Sequence, residues 1–262
     1  MSGRFVHSAS ASATSEQPMR LDKQRQVQQP AFVLHSYPYR ETSLLVELFS
    51  RRHGRLVVVA RGARRPRSAM RGSLLAFQPL LLAWSGRGEV RSLHSAEWQG
   101  GQPLLFGDAL LCGFYLNELM IKLLPREDAH EQLYDNYESA LKRLAAEAES
   151  APVLRSFEKQ MLKELGYALD LERESTSGAS VEPDRLYTYE PDRGVLEING
   201  RHQREQDGPV LPGGALLAIS RDDYREASVQ QHSKALMRTL INHRLGRQPL
   251  NSRQIFRDLQ DL

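Results

Sequence analysis

A single cysteine, Cys112, is the first scarcity in this chain of 262 residues. One thiol can form neither an internal disulfide nor a multi-cysteine zinc site. Leu110, Leu111 and Phe114 surround it in sequence, so it reads as a buried core thiol rather than a nucleophile, and it fits a reducing cytosol. Long apolar runs are also missing. The stretches around Leu80–Ala83 and Leu104–Leu111 fall far short of the ~18 residues of a membrane span, and no membrane partner is expected. No GxxxxGK[ST] phosphate loop, HExxH or GxSxG occurs, and Gly86-x-Gly88 lacks a third glycine. The eight histidines are scattered without metal-ligand spacing. A nuclease needs clustered carboxylates for its metal ions; a pair assembled from distant positions is the one catalytic arrangement left open. A protein without catalysis, cofactor or metal is expected.

The charge is distributed unevenly. Residues 30–105 carry eleven Arg and four Glu, a balance of +7, and residues 1–29 a balance of +2, which leaves −6 for residues 106–262. A basic module is joined to an acidic one, and such asymmetry points the basic module at a polyanion. The interval Leu48–Gly88 holds nine Arg and no Asp or Glu. Eight lie between residues 51 and 71, namely Arg51, Arg52, Arg55, Arg61, Arg64, Arg65, Arg67 and Arg71; Arg87 follows in a turn and Arg91 just beyond it. Unbalanced like charge repels itself in a compact fold, and an external anion relieves that. The guanidinium fork also matches phosphate oxygens in bidentate geometry. Tyr37 and Tyr39, flanking Pro38 in an expected turn, are the aromatic candidates for base stacking. Phe77 and Trp84 are expected in the barrel core.

Residues 1–29 are rich in Ser, Ala and Gln and are expected to be a disordered extension, with Met19 an alternative start. From Ala31 the text turns β-like. Ala31–His35, Ser43–Ser50, Arg55–Ala60, Pro79–Trp84 and Glu89–Ala96 read as five strands, the last two joined by the glycine-rich turn 85–88. Ser68 heads a possible short helix over Ser68–Phe77. Five strands with a helix after the third is the order of an OB-fold barrel, here residues 30–103. Residues 104–262 read as an α-helical domain with helices over Leu104–Leu124, Glu127–Glu149, from Pro152 to about Leu165, Ser228–Leu245 and Ser252–Leu259. Residues 171–214 form a loop-rich insertion, with a hairpin expected at Leu186–Tyr189 and Val195–Ile198. The fold class is α+β: an N-terminal five-stranded OB barrel followed by helices.

Several segments occur together and in order. They are Ala31-Phe-Val-Leu-His35, Glu41-Thr-Ser-Leu-Leu45, Gly54-Arg-Leu56, Val59-Ala-Arg-Gly-Ala-Arg64, Pro79-Leu-Leu-Leu82, Gly86-Arg-Gly-Glu-Val90 and Ser95-Ala-Glu97. Tyr115-Leu-Asn-Glu-Leu119, Leu124-Pro125, Leu154-Arg155, Phe157-Glu158, Leu165-Gly-Tyr167, Gly246, Pro249-Leu-Asn-Ser-Arg253 and Phe256-Arg257 continue them. Together, from about residue 30 to 260, the chain resembles the RecO family of recombination mediators. That resemblance implies binding of single- and double-stranded DNA, annealing of complementary strands, cooperation with RecR, and indirect help to RecA on DNA coated with the single-strand binding protein SSB. Many family members carry four cysteines in the region matching 171–214; this chain has none there, so a zinc-free branch is implied. The resemblance places binding of the acidic, Phe-ended SSB tail at Arg155, with Lys159 and Lys163 following at i+4 and i+8. It also implies a cytoplasmic, nucleoid-associated protein. A basic OB module for structured RNA, or less favourably a metal-dependent nuclease, remains the alternative that the residues alone allow.

Overall fold

The computed structural model describes residues 25–146, 149–167, 169–198 and 208–260. Five strands, β1 (Arg25–Tyr39), β2 (Ser43–Ser50), β3 (Gly54–Ala60), β4 (Leu80–Ser85) and β5 (Val90–Trp98), close into a barrel in the order β1-β2-β3-β5-β4. Only β3 and β5 pair in parallel. This is the OB arrangement. Strand β1 takes in residues 25–29, which the composition had assigned to the N-terminal extension; residues 1–24 and position 19 lie outside the described residues.

Alternation along β1 explains how two cores meet. Ala31 and Val33 point into the barrel with Val46, Leu48, Leu56, Val58 and Trp84. Phe32 and Leu34 point outward and join the core of the helices. The β3–β4 connection contains no helix at Ser68–Phe77. It is a run of tight turns, with Ser68 Oγ accepting from the Met70 amide at 3.3 Å. Gly72, in the middle of the expected helix, disfavours a helical register there. Its small and apolar residues Ala63, Met70 and Leu74 instead pack onto the barrel interior, and the arginines between them face solvent.

The remaining elements are α1 (Gly107–Leu123), α2 (Glu131–Ala145), α3 (Ser150–Glu164), β6 (Leu186–Glu190), β7 (Gly194–Glu197), β8 (Val210–Pro212), α4 (Gly213–Ser220), α5 (Ala227–Leu245) and α6 (Asn251–Gln260). The helices α1 and α2 cover the outer face of β1 and β2. Phe32 meets the rings of Tyr134 and Tyr137 at 5.2 and 5.1 Å, and Phe49 meets Tyr134 at 5.7 Å. The buried Asn117 of α1 donates to the Leu34 carbonyl at 2.8 Å and accepts from the Tyr137 hydroxyl at 2.5 Å. Helix α2 starts four residues later than its polar pattern suggested, because Glu127 (φ 61°) donates its amide to the Arg55 carbonyl at 2.8 Å. That approach requires glycine at position 54 (φ 62°), since a Cβ there would overlap the Asp128 carbonyl. Strand β8 and helix α4 were not expected, because Pro212 and the two glycines read as breakers. Gly213 is needed where the chain passes the Glu182 carbonyl and the Tyr187 ring.

The cysteine-free loop after α3 is organised by a carboxylate. Glu174 accepts from the amides of Thr176 (3.0 Å) and Ser177 (2.5 Å) and from the Ser177 hydroxyl (2.6 Å). Burial pushes its carboxyl up, but these donors outweigh burial and hold it at about 2, below the ordinary 4.5. A depressed carboxylate stabilises the fold above its unfolded value and loses that contribution as pH falls through its folded one. Glu174→Gln is therefore expected to unfold at lower denaturant than wild type at neutral pH. The gap should close as pH drops from about 4.5 toward about 2; a gap independent of pH would contradict this role.

Candidate nucleic-acid interface

The β2–β3 register, with Leu44 opposite Ala60, sets the β1–β2 turn beside the first residues of the β3–β4 loop. The contact is fixed by the Arg64 amide donating to the Thr42 carbonyl at 2.9 Å and the Gly62 amide to Ser43 Oγ at 3.4 Å. Arg61, Arg64, Arg65, Arg67 and Arg71 are exposed at this end of the barrel, and among the described residues none has a carboxylate within ion-pair distance. Arg40 joins them. It lies in the β1–β2 turn at φ 51°, and its guanidinium sits 5.3 Å from the Tyr39 ring centroid. The sequence block beginning at residue 51 gave no sign of Arg40; only the strand register brings it there. Glu41 is the acid of the same turn and is also exposed.

Tyr37 and Tyr39 are 43% and 37% exposed. They occupy the end of β1, not a turn, which lies at 40–42. One side of the Tyr37 ring rests against His35 at 4.3 Å. Trp84 is fully buried inside the barrel, as expected. Phe77 is buried elsewhere, in the seam between barrel and α1, where it meets Phe114 at 5.1 Å.

Arg52 and Arg87 are exposed but stand apart from this cluster. The parallel register of Val57 with Val90 carries the β4–β5 turn toward the β2–β3 turn, where His53 packs on Trp84 at 5.4 Å. Burial, then Arg91 and Arg52, push the His53 imidazole below its ordinary value.

Three of the ten expected arginines already have carboxylate partners within the chain. Arg51 pairs with Asp135 at 2.9 Å and Glu131 at 3.7 Å. Arg91 pairs with Glu127 at 2.8 Å. Arg55 donates to the Leu124 carbonyl at 3.0 Å and pairs with Glu47 at 3.2 Å, whose other oxygen is held by Arg126 at 3.2 Å. Apart from Glu47, these carboxylates come from the acidic helical half. A count of charge within residues 48–88 could not see them.

A second basic feature lies between α1, α3, α5 and α6. It is a cleft of about 780 Å³ with Cys112 and Tyr115 in its wall and Arg155, Lys234, Arg238 and Arg253 as its cations, against the acid Asp108. Arg155 is 8% exposed, pairs with the fully buried Glu158 at 3.0 Å and leaves its Nε without a hydrogen-bond partner. Burial pushes the Glu158 carboxyl up, opposed by Arg155 and by the Tyr115 hydroxyl, which donates to it at 2.5 Å. Burial likewise raises the Cys112 thiol. Lys159 does not reach the cleft. It donates to the Ile219 and Ser220 carbonyls at 2.9 and 3.0 Å, closing the C-terminus of α4, and pairs with Asp222 at 2.7 Å. Lys163 is exposed at the end of α3 and does not line the cleft. The cations beside Arg155 in the cleft are Lys234 and Arg238, one turn apart on α5, and Arg253 on α6. Among the described residues no group of three or more His, Cys, Asp or Glu is placed to hold a metal ion, and no helix is long and apolar enough to cross a membrane.

A closed barrel of OB topology, with exposed arginines at one end and a helical domain packed against it, defines an OB-fold protein with a basic barrel end. Residues 23–101 match the family domain described as Recombination protein O N terminal, and residues 107–254 match Recombination protein O C terminal. The DNA repair protein RecO of Aromatoleum aromaticum is 52% identical over 92% of this chain and 99% of its own length. That of Nitrosospira multiformis is 50% identical over 93% and 100%, and that of Dechloromonas aromatica 52% over 89% and 96%. The chain belongs to the RecO family of DNA repair proteins.

The division of the arginines is open to test by stability. Arg55→Ala leaves Glu47 buried with Arg126 alone and strands the Leu124 carbonyl. It is expected to cost roughly 3 kcal/mol in chemical denaturation, whereas Arg67→Ala should stay within about 0.5 kcal/mol of wild type. Equal losses at the two positions would contradict the division.

Proposed function

We propose that this protein is a recombination mediator that binds single- and double-stranded DNA through the arginine end of its barrel and anneals complementary strands without chemistry or cofactor. The observation that carries this reading is the exposed set Arg40, Arg61, Arg64, Arg65, Arg67 and Arg71 beside Tyr37 and Tyr39, with no carboxylate among the described residues paired to any of those arginines. The guanidinium groups take phosphates from two strands, their mutual repulsion falls, and pairing follows. The tyrosines offer stacking that tolerates any base. Arg52 and Arg87 supply a second, smaller contact at the other end of the barrel.

The cleft around Arg155 suits an acidic peptide with an apolar end, because four cations ring a wall that includes Leu154 and Ala227. The SSB tail is such a peptide. Binding it there, with RecR as a further partner, would bring the annealing end to SSB-coated strands and assist RecA loading in the cytoplasm.

Replacing Arg64, Arg65 and Arg67 together with Ala is expected to slow annealing of SSB-coated complementary strands and to flatten the log–log salt dependence of oligonucleotide binding by about 2. Unchanged annealing and an unchanged slope would sink the assignment. A strong preference for a matched RNA over DNA would favour a structured-RNA role, and cleavage of labelled DNA by the pure protein in Mg²⁺ or Mn²⁺ would end the non-catalytic reading.

A further inference from the structure

Two segments quoted above for their family resemblance, Tyr115–Leu119 and Pro249–Arg253, interlock in the folded chain. Glu118 on α1 reaches the start of α6. Its carboxylate accepts from the amides of Asn251 and Ser252, each at 2.8 Å, and from the Ser252 hydroxyl at 2.6 Å. The first amides of a helix have no partner within it and carry the positive end of its dipole. An N-terminal side chain normally answers them; here a neighbouring helix does. Lys122, one turn on, pairs with Glu118 at 2.9 Å and also donates to the Pro249 carbonyl, so the chain entering α6 is held on both sides. Burial would raise the Glu118 carboxyl, but the Ser252, Lys122 and Asn251 donors bring it below its ordinary value.

The next residue is Arg253, the contribution of α6 to the cleft. Its guanidinium donates to the Tyr115 hydroxyl at 3.1 Å and to Asn242 Oδ1 at 2.9 Å, and it sits 5.5 Å from the Tyr115 ring centroid. Tyr115 in turn donates to Glu158, which pairs with Arg155. The cleft wall is therefore a single chain of contacts, Arg155–Glu158–Tyr115–Arg253, and its last member directly follows Ser252, one of the two residues that Glu118 grips. No carboxylate within ion-pair distance neutralises Arg253 among the described residues; its guanidinium donates to a hydroxyl and an amide oxygen.

We propose that Glu118 is a positioning residue for the acidic-peptide cleft: by closing the N-terminus of α6 from outside, it holds Arg253 at the wall where an anionic group docks. This rests on the reading of the cleft as an acidic-peptide site. Without the Glu118 carboxylate the start of α6 loses the acceptor of three donors, the Asn251 and Ser252 amides and the Ser252 hydroxyl, and loosens, and the cleft loses one of its four cations while Arg155, Lys234 and Arg238 stay in place.

The test uses the full chain and a fluorescein-labelled Asp-rich hexapeptide ending in phenylalanine with a free carboxylate. Glu118→Ala is expected to weaken peptide binding about tenfold, as Arg253→Ala does, and the double variant to bind no more weakly than Arg253→Ala alone, since both remove one group from the cleft. Ser252→Ala, the milder variant should Glu118→Ala fold poorly, is expected to lose about threefold. Hydrogen exchange of the α6 amides is expected to quicken in both Glu118→Ala and Ser252→Ala, with oligonucleotide binding unchanged. Peptide affinity of both Glu118→Ala and Ser252→Ala within twofold of wild type, or fully additive losses in the double variant, would overturn the assignment alone. Failure of the wild-type chain to bind the peptide would overturn the cleft reading and this inference together.

Discussion

The pairing of Arg55 and Arg126 on the buried carboxylate of Glu47 is the interaction on which the rest of the architecture turns. A carboxylate with a side chain only 8% exposed must be answered by charge and hydrogen bonds. Arg55 answers from β3 and Arg126 from the segment after α1, so satisfying one buried acid fixes the helical domain against the barrel. Arg55 also donates to the Leu124 carbonyl, and the Glu127 amide returns a bond to the Arg55 carbonyl. The close passage at Gly54, the pairing of Arg91 with Glu127 and the grip of α2 acids on Arg51 lie along the same seam.

That seam decides which arginines remain for a ligand. The acidic half supplies carboxylates where it touches the barrel, and these neutralise Arg51 and Arg91. Among the described residues it supplies none to the β3–β4 loop, whose small and apolar residues close the barrel end and whose arginines face water. The positive field of the chain is thus concentrated by folding rather than merely inherited from composition. The same seam buries the outer face of β1 and β2 under Phe32, Phe49, Tyr134 and Tyr137, leaving the exposed barrel end and its turns for contact.

Strand patterning was strong enough to place five strands and the OB order, and Ser43–Ser50 came out with both ends as read. The turn at Glu127 and the unexpected α4 escaped, because both are set by close passage of distant backbone, at Asp128 near Gly54 and at Glu182 near Gly213. The arginine block was legible as an excess of positive charge, but not its internal division, since Arg51 and Asp135 are 84 residues apart. Arg155, singled out by family resemblance for an acidic tail, lines the helical cleft. Lys159 was not separable from it by spacing alone, because four residues on a helix add about 40° of rotation, enough to turn the lysine onto the end of α4.

Both basic features include arginines without a carboxylate partner among the described residues, at the barrel loop and, as Arg253, in the helical cleft. The most direct measurement is the affinity of the wild-type chain for a short single-stranded oligonucleotide across a series of salt concentrations. Neutralisation of about six phosphates gives a log–log slope near −4, with tight binding in dilute buffer. No retention of the oligonucleotide in dilute buffer, or an affinity indifferent to salt, would contradict the account.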